Sequence, residues 1–157
     1  MFNKNFTNHI DIIIPAYNAA TTIKYTLASI YMQTIRDNLH VIVVDDCSDA
    51  SADYDVTIGY YKKLGLDIQK IRLPENGGPG VARQKGIEAG QSEFFTCIDA
   101  DDTFTSAIAL ETMREGMKQM NPQFPADSIK CASASFLQLG EDVTQNVLHQ
   151  NDIKEIA

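Results

Sequence analysis

Apolar residues along this chain fall into short continuous runs, separated by longer stretches in which they recur every three or four positions. Ile10-Asp11-Ile12-Ile13-Ile14 is the first run. It predicts a strand stopped by Pro15, since proline has no N–H to give to a ladder. Ile23, Leu27, Ile30 and Thr34 then share one face of a helix from about Ala20 to Thr34, with Asn18 placed near its N-cap. Val41-Ile42-Val43-Val44 predicts a second strand, rich in β-branched residues and ending at Asp45-Asp46. A polar stretch from Ser48 to Asp55 leads into a helix over Val56 to Leu64, closed by Gly65. Leu66 to Leu73 predicts a third, shorter strand. Pro74-Glu75-Asn76-Gly77-Gly78-Pro79-Gly80 is the densest turn signal. The helix after it carries Val81, Ala82, Lys85 and Ala89 and ends at Gly90. Phe94 to Ile98 reads as a fourth, buried strand. Ala107, Leu110, Met113, Met117 and Met120 stripe a further helix, broken before Pro122, with the methionines as core filler. Ile129 to Phe136 predicts a fifth strand, and beyond Gly140 the chain turns polar and loses its period.

Strands alternating with helices imply an α/β fold, a mostly parallel sheet with helices on both faces. The near-continuous apolar strands agree, because such strands are covered on both sides. Ligands of these sheets sit beyond the carboxyl ends of strands, near a topological switch point. The notable polar groups fall at those ends: Pro15-Ala16-Tyr17-Asn18, Asp45-Asp46, and Asp99-Ala100-Asp101-Asp102.

Bulk properties narrow the field. At 157 residues and 44% hydrophobic, the chain suits one packed core. Its formal net charge of −8 argues against a nucleic-acid partner, which would want a basic face. No apolar run reaches membrane-spanning length, and Met1 to Phe6 lacks the apolar centre of a signal peptide. A cytoplasmic protein is the expectation. Cys47, Cys97 and Cys131 fit neither a disulfide framework nor zinc spacing and read as buried free thiols. His9, His40 and His149 are scattered and carry no ligand pattern.

The carboxylates at Asp99, Asp101 and Asp102 would repel one another unless something positive sat among them. A hard divalent cation is the simplest candidate, and a cation at a strand end suggests chemistry on a phosphate group. The first strand–helix turn has no G-x-G-x-x-G and the chain has no G-x-x-x-x-G-K-[ST], which argues against a dinucleotide-binding domain and a P-loop enzyme. A Gly-rich loop directly after the first strand, expected of a sugar nucleotidyltransferase, is also missing. Asp99-Ala100-Asp101-Asp102-Thr103 matches the D-x-D-x-T nucleophile motif of haloacid-dehalogenase-like phosphatases. Those enzymes place it on the first strand and need a later Lys and acidic pair, so this is a minor alternative.

Four segments in order account for more. They are Ile12-Ile13-Ile14-Pro15-Ala16-Tyr17-Asn18, Val43-Val44-Asp45-Asp46-Cys47-Ser48, Asn76-Gly77-Gly78-Pro79-Gly80-Val81-Ala82-Arg83-Gln84-Lys85-Gly86, and Ile98-Asp99-Ala100-Asp101-Asp102. Together they strongly resemble family 2 glycosyltransferases, which have the GT-A fold. The resemblance covers roughly residues 10 to 105.

The resemblance implies a metal-dependent, inverting transfer of a sugar from a nucleotide diphosphate sugar, with a UDP-sugar expected, to an acceptor hydroxyl. It implies that Pro15, Ala16, Tyr17 and Asn18 hold the nucleotide base, with Tyr17 against its face. Asp46 matches the carboxylate that reads the base, and the N3–H of uracil is a donor it can accept. Arg83 matches a donor-contacting position, where a guanidinium and a helix N-terminus would both favour phosphate. Asp99-Ala100-Asp101 matches the D-x-D motif: Asp101 as metal ligand, Asp99 toward the ribose or as a second metal contact, Ala100 beside the donor. The metal would be Mn²⁺ or Mg²⁺. Cys47 stands where the family commonly has Gly. Lys85 reads as a solvated surface charge and Asp102 as a local cap. The general base is expected after the D-x-D motif, and none of Glu141, Asp142, Asp152 or Glu155 sits in a recognisable motif. That shortfall predicts a truncated domain: an extension over 1–9, a donor half over 10–138, and a polar segment over 139–157 that begins the missing acceptor half. Without a base, a nucleotide-sugar-binding module that does not turn over is the alternative. A glycan, lipid or protein acceptor, peripheral membrane association of the full-length protein, oligomerisation and a setting in polysaccharide biosynthesis are all compatible.

Overall fold

The computed structural model describes residues 8–49 and 53–120. The predicted N-terminal extension up to residue 7, the fifth strand at Ile129 to Phe136, Cys131, His149 and the acids near the C-terminus lie outside the described residues. The chain divides into two units at Thr112/Met113. The first unit runs in the order β1 (Ile10–Ala16), α1 (Ile23–Tyr31), a 3₁₀ turn (Arg36–Asn38), β2 (Leu39–Asp45), α2 (Asp55–Lys63), β3 (Asp67–Arg72), α3 (Gly78–Ala89) and β4 (Phe94–Cys97), with α4 (Ala109–Met120) running across the boundary. Among the described residues no helix is long and apolar enough to cross a membrane.

The four strands of the described residues are parallel, in the order β3-β2-β1-β4. The chain steps from β1 through β2 to β3 in one direction, then returns across the sheet to β4. Right-handed crossovers put the helices of the outward and the return journeys on opposite faces. Among the described residues helix α3 therefore covers one side, where Gly86 comes against Ile13, and Ala82 packs with Ile42, Val44 and Leu73. Ile12 and Ile14 point to the other side and are just as fully buried. Burial on both faces explains the unbroken apolar runs of β1 and β2.

Several expectations need correction. β1 does not stop at Pro15 but continues to Ala16, with Pro15 beside Val44 and Ala16 beside Asp45. Ile98 N–H donates to Ile13 C=O, and pairing with β4 ends at Ile13. Pro15 faces the same side two residues later, where no neighbouring carbonyl needs a donor, so its missing N–H costs nothing. Helix α1 is shorter than predicted, and Thr34 lies beyond it, donating its N–H to Ala107 C=O. Asn18 does not cap α1; the N-cap is Thr22, without a side-chain cap bond. β4 is not a buried strand. Phe95 is 59% exposed and Cys97 is exposed, because among the described residues β4 is an edge strand. Cys47 is only half-buried, so neither of these thiols is the buried one expected.

Candidate functional site

The order reverses between β1 and β4, and there the carboxyl ends of β1, β2 and β4 open a cleft of about 540 Å³. Pro15, Ala16, Tyr17, Asn18, Asp46, Arg83, Asp99, Ala100 and Asp101 all line it, joined by Ala19, Thr21, Thr22, Asn76, Gly78 and Pro79. The structure thus brings every sequence-predicted site residue to one place. Tyr17 is 52% exposed there, so its ring is free to meet a planar ligand. Lys85 instead pairs with Glu88 on the surface, 2.9 Å away.

Asp46 is buried at the floor. One carboxylate oxygen accepts from Gly77 N–H at 2.8 Å and the other from Gly78 N–H at 2.7 Å. Gly77 is the N-cap of α3, and Pro79 in its first turn has no N–H to offer. The carboxylate therefore takes two N–H groups at the positive end of this helix. Each Asp46 oxygen keeps a second lone pair for a further donor. Gly78 has φ +81°, a conformation L side chains rarely adopt, and a Cβ at Gly77 would come 2.9 Å from Val81. The Gly-rich pair is thus what lets the loop close onto Asp46.

Asp45 faces away from the cleft and is fully buried. Its carboxylate accepts from Ser48 N–H at 2.9 Å and pairs with Arg72, whose other nitrogen donates to Ser48 C=O at 2.7 Å. Burial pushes its pKa up, but the Ser48 hydroxyl and amide and the Arg72 guanidinium outweigh this and hold it below the ordinary carboxylate value. This closes the tight turn after β2, in which Cys47 has φ +60°. The family's common glycine at this position has its reason in that angle, and Cys47 adopts it nonetheless, with its thiol 3.6 Å from Pro74 C=O.

Asn18 also has positive φ, +52°, and its amide grips Asp49 in both directions, at 3.0 and 2.8 Å. Asn18 N–H donates to Ser48 Oγ at 2.9 Å, and Ala19 N–H donates to the hydroxyl of Tyr54 at 3.0 Å. Tyr54, Ser48 and Arg72 are functional-site neighbours that sequence reasoning missed as a group, whereas Asp45 reads from the sequence as a turn cap and is one. The D-D-x-S segment pointed to Ser48; Tyr54 gave no local signal, since a buried tyrosine reads as core.

Arg83 reaches from α3 to pair with Asp99 at 2.5 Å. At 38% and 48% side-chain exposure this pair contributes little stability, so either group is readily redirected to a ligand. Asp102 N–H closes a turn onto Asp99 C=O. Its carboxyl is pushed above the ordinary value by burial and then by the charges of Asp101 and Asp99. Three carboxylates, Asp99, Asp101 and Asp102, share this strand end with the Arg83 guanidinium. Hard carboxylate oxygens so grouped fit a divalent cation. Among the described residues no three His, Cys, Asp or Glu side chains form a ready cage, and a Mg²⁺-like ion characteristically takes one or two carboxylates and completes its shell with substrate phosphates.

Comparison with known proteins assigns the chain. Residues 11–142 match the family described as Glycosyl transferase family 2. The chain is 30% identical over 138 residues to the uncharacterized glycosyltransferase YibD of Escherichia coli, covering 87% of this chain and 38% of YibD. It superimposes with a TM-score of 0.63 and 27% identity on Staphylococcus aureus TarS 1-349 in complex with UDP-GlcNAc, covering 72% of this chain and 32% of that one. It also matches the mannosyltransferase PcManGT of Pyrobaculum calidifontis, in complex with GDP-Man and Mn²⁺, at a TM-score of 0.61 and 26% identity, covering 67% of this chain and 31% of that one. The chain spans less than two-fifths of the length of the first curated relatives it matches. It belongs to glycosyl transferase family 2, with the GT-A arrangement of a parallel sheet and a cleft at its switch point.

Proposed function

We propose that this chain forms the donor-binding part of a cytoplasmic, metal-dependent inverting glycosyltransferase that uses a UDP-sugar. The observation that carries this is the convergence of Tyr17, Asp46, Arg83, Asp99 and Asp101 on one cleft. Tyr17 stacks on the base and the free lone pairs of Asp46 accept from uracil N3–H. Arg83 leaves Asp99 to meet the diphosphate, where a guanidinium makes charge-assisted bonds. Asp101, with Asp99, would hold Mn²⁺ or Mg²⁺, which supplies charge neutralisation for the departing nucleoside diphosphate. In the reaction an acceptor hydroxyl oxygen attacks the anomeric carbon, the bond to the diphosphate breaks, and the hydroxyl proton passes to a general base. No residue of this chain is assigned as that base. The acceptor-binding half falls to the part of the family's length that this chain does not span, and the acceptor is a glycan, lipid or protein hydroxyl. The UDP-GlcNAc bound by TarS and the Mn²⁺ bound by PcManGT support the donor and the ion.

The test is release of UDP from UDP-GlcNAc and other UDP-sugars, with and without acceptor glycans, measured on the chain and on the full-length protein. Release by the full-length protein supports a transferase. Tight UDP binding without release in any form leaves a nucleotide-sugar-binding module, and binding of neither UDP nor a UDP-sugar refutes the proposal.

A further inference from the structure

We infer that Tyr54 is a positioning residue for the donor, holding the loop Tyr17–Ala19 in its ligand-ready shape through its buried hydroxyl and Ser48. The inference rests on the donor-site reading and deepens it. Tyr54 is fully buried and does not line the cleft. Its ring fills the core under Lys70, whose Nζ lies 5.7 Å from the ring centre. Packing alone would need only a phenylalanine; the hydroxyl needs partners, because a buried polar group without one is costly.

Two of those contacts have a fixed direction. Ala19 N–H can only donate, so it fills an acceptor position on Tyr54. Asn18 N–H can only donate, so it fills one on Ser48 Oγ. The two hydroxyls lie 2.7 Å apart. Ser48 is itself tied to the buried Asp45 carboxylate, to which its N–H donates at 2.9 Å. The relay runs from a buried carboxylate at the end of β2, through Ser48 and Tyr54, to two successive amides of the loop after β1. Tyr17, Asn18 and Ala19 line the cleft, while Ser48 and Tyr54 touch a ligand only through them. The loop needs this hold: Asn18 sits at positive φ, a conformation non-glycine residues leave readily when nothing enforces it.

Tyr54→Phe keeps the ring and removes the relay. Ser92→Ala is the control, since it cuts a buried hydrogen bond from Ser92 Oγ to Asp11, 2.7 Å, beside β1 and outside the cleft. UDP is titrated by calorimetry at a temperature where both variants remain folded by near-UV circular dichroism. Tyr54→Phe is expected to bind UDP about tenfold more weakly, the size of one net hydrogen bond. Ser92→Ala, losing comparable thermal stability, is expected to bind as wild type. Amide hydrogen exchange at Asn18 and Ala19 quickens in Tyr54→Phe alone. Should Tyr54→Phe fail to fold, Ser48→Ala cuts the same relay one step earlier and carries the same expectation. Equal UDP affinity in wild type and the relay variant overturns the inference and leaves the donor reading standing. A wild-type chain that binds no UDP overturns the donor reading and the inference with it.

Discussion

Two glycines of α3 should respond in opposite ways to the same substitution. A Cβ at Gly86 would run into Ile13 Cγ2 on β1, while a Cβ at Gly80 meets nothing within 4 Å. Ile13 is fully buried in a strand paired on both sides, so it has nowhere to go. Overpacking of this kind costs about 1–3 kcal/mol, and an overlap with a branched carbon puts Gly86→Ala at the upper end. Replacing a helical glycine by alanine returns up to about 1 kcal/mol. The net is a loss of about 2 kcal/mol for Gly86→Ala and a gain of about 0.5–1 kcal/mol for Gly80→Ala. For a chain of this size those figures mean a Tm lower by about 4–8 °C and higher by about 2–3 °C. Calorimetric or circular-dichroism melting reads both. A cycle with Ile13→Ala sharpens the test: truncation removes the offending carbon, so Gly86→Ala should cost little in that background, whereas Ile13→Val keeps the carbon and should not rescue. Arg83 and the Gly77–Gly78 turn ride on α3, so the Gly86 variant should also weaken UDP binding. A Gly86→Ala chain as stable as wild type would refute the close approach of α3 to β1 that places Arg83 at the cleft.

The turn after β2 makes two further predictions. Cys47 holds φ +60°, so Cys47→Gly should stabilise the fold by about 0.5–1 kcal/mol after allowing for glycine's greater freedom when unfolded, read as a higher urea midpoint at unchanged m. Cys47→Val, β-branched, should lower it; the reverse order would contradict the angle. Asp45 titrates below its ordinary value when folded, so between the folded value and about 3.9 the unfolded chain binds more protons. Stability from this group is fully present above about pH 4 and is lost as pH falls through the folded value. Asp45→Asn should cost about 2 kcal/mol at neutral pH and flatten the acid limb of a urea-midpoint profile; an unchanged acid limb would count against the buried pair.

The sheet and the cleft were legible because their signals are local. Apolar runs announced the strands, and the residues just past each run are the ones the switch point gathers. Pro15 misled because proline breaks a strand only where a ladder needs its N–H, and that depends on where β4 ends. Phe94 to Cys97 misled because an apolar run does not say whether a strand is central or at an edge. The role of Tyr54 was hidden for a related reason: a relay joining residues 18, 19, 45, 48 and 54 exists only once β1 and β2 lie side by side. The angle at Cys47 was half visible, as a departure from a glycine whose reason only the backbone supplies.

The proposed function depends on a donor diphosphate held with a divalent ion at Asp101. Calorimetric titration of UDP with Mn²⁺ and with EDTA, in wild type and Asp101→Ala, tests it most directly. UDP should bind at least about tenfold more tightly with Mn²⁺ in wild type, the worth of one charge-assisted contact, and Asp101→Ala should erase that difference while retaining the metal-free affinity. Equal UDP affinity with and without Mn²⁺, or a metal effect that survives in Asp101→Ala, would contradict it.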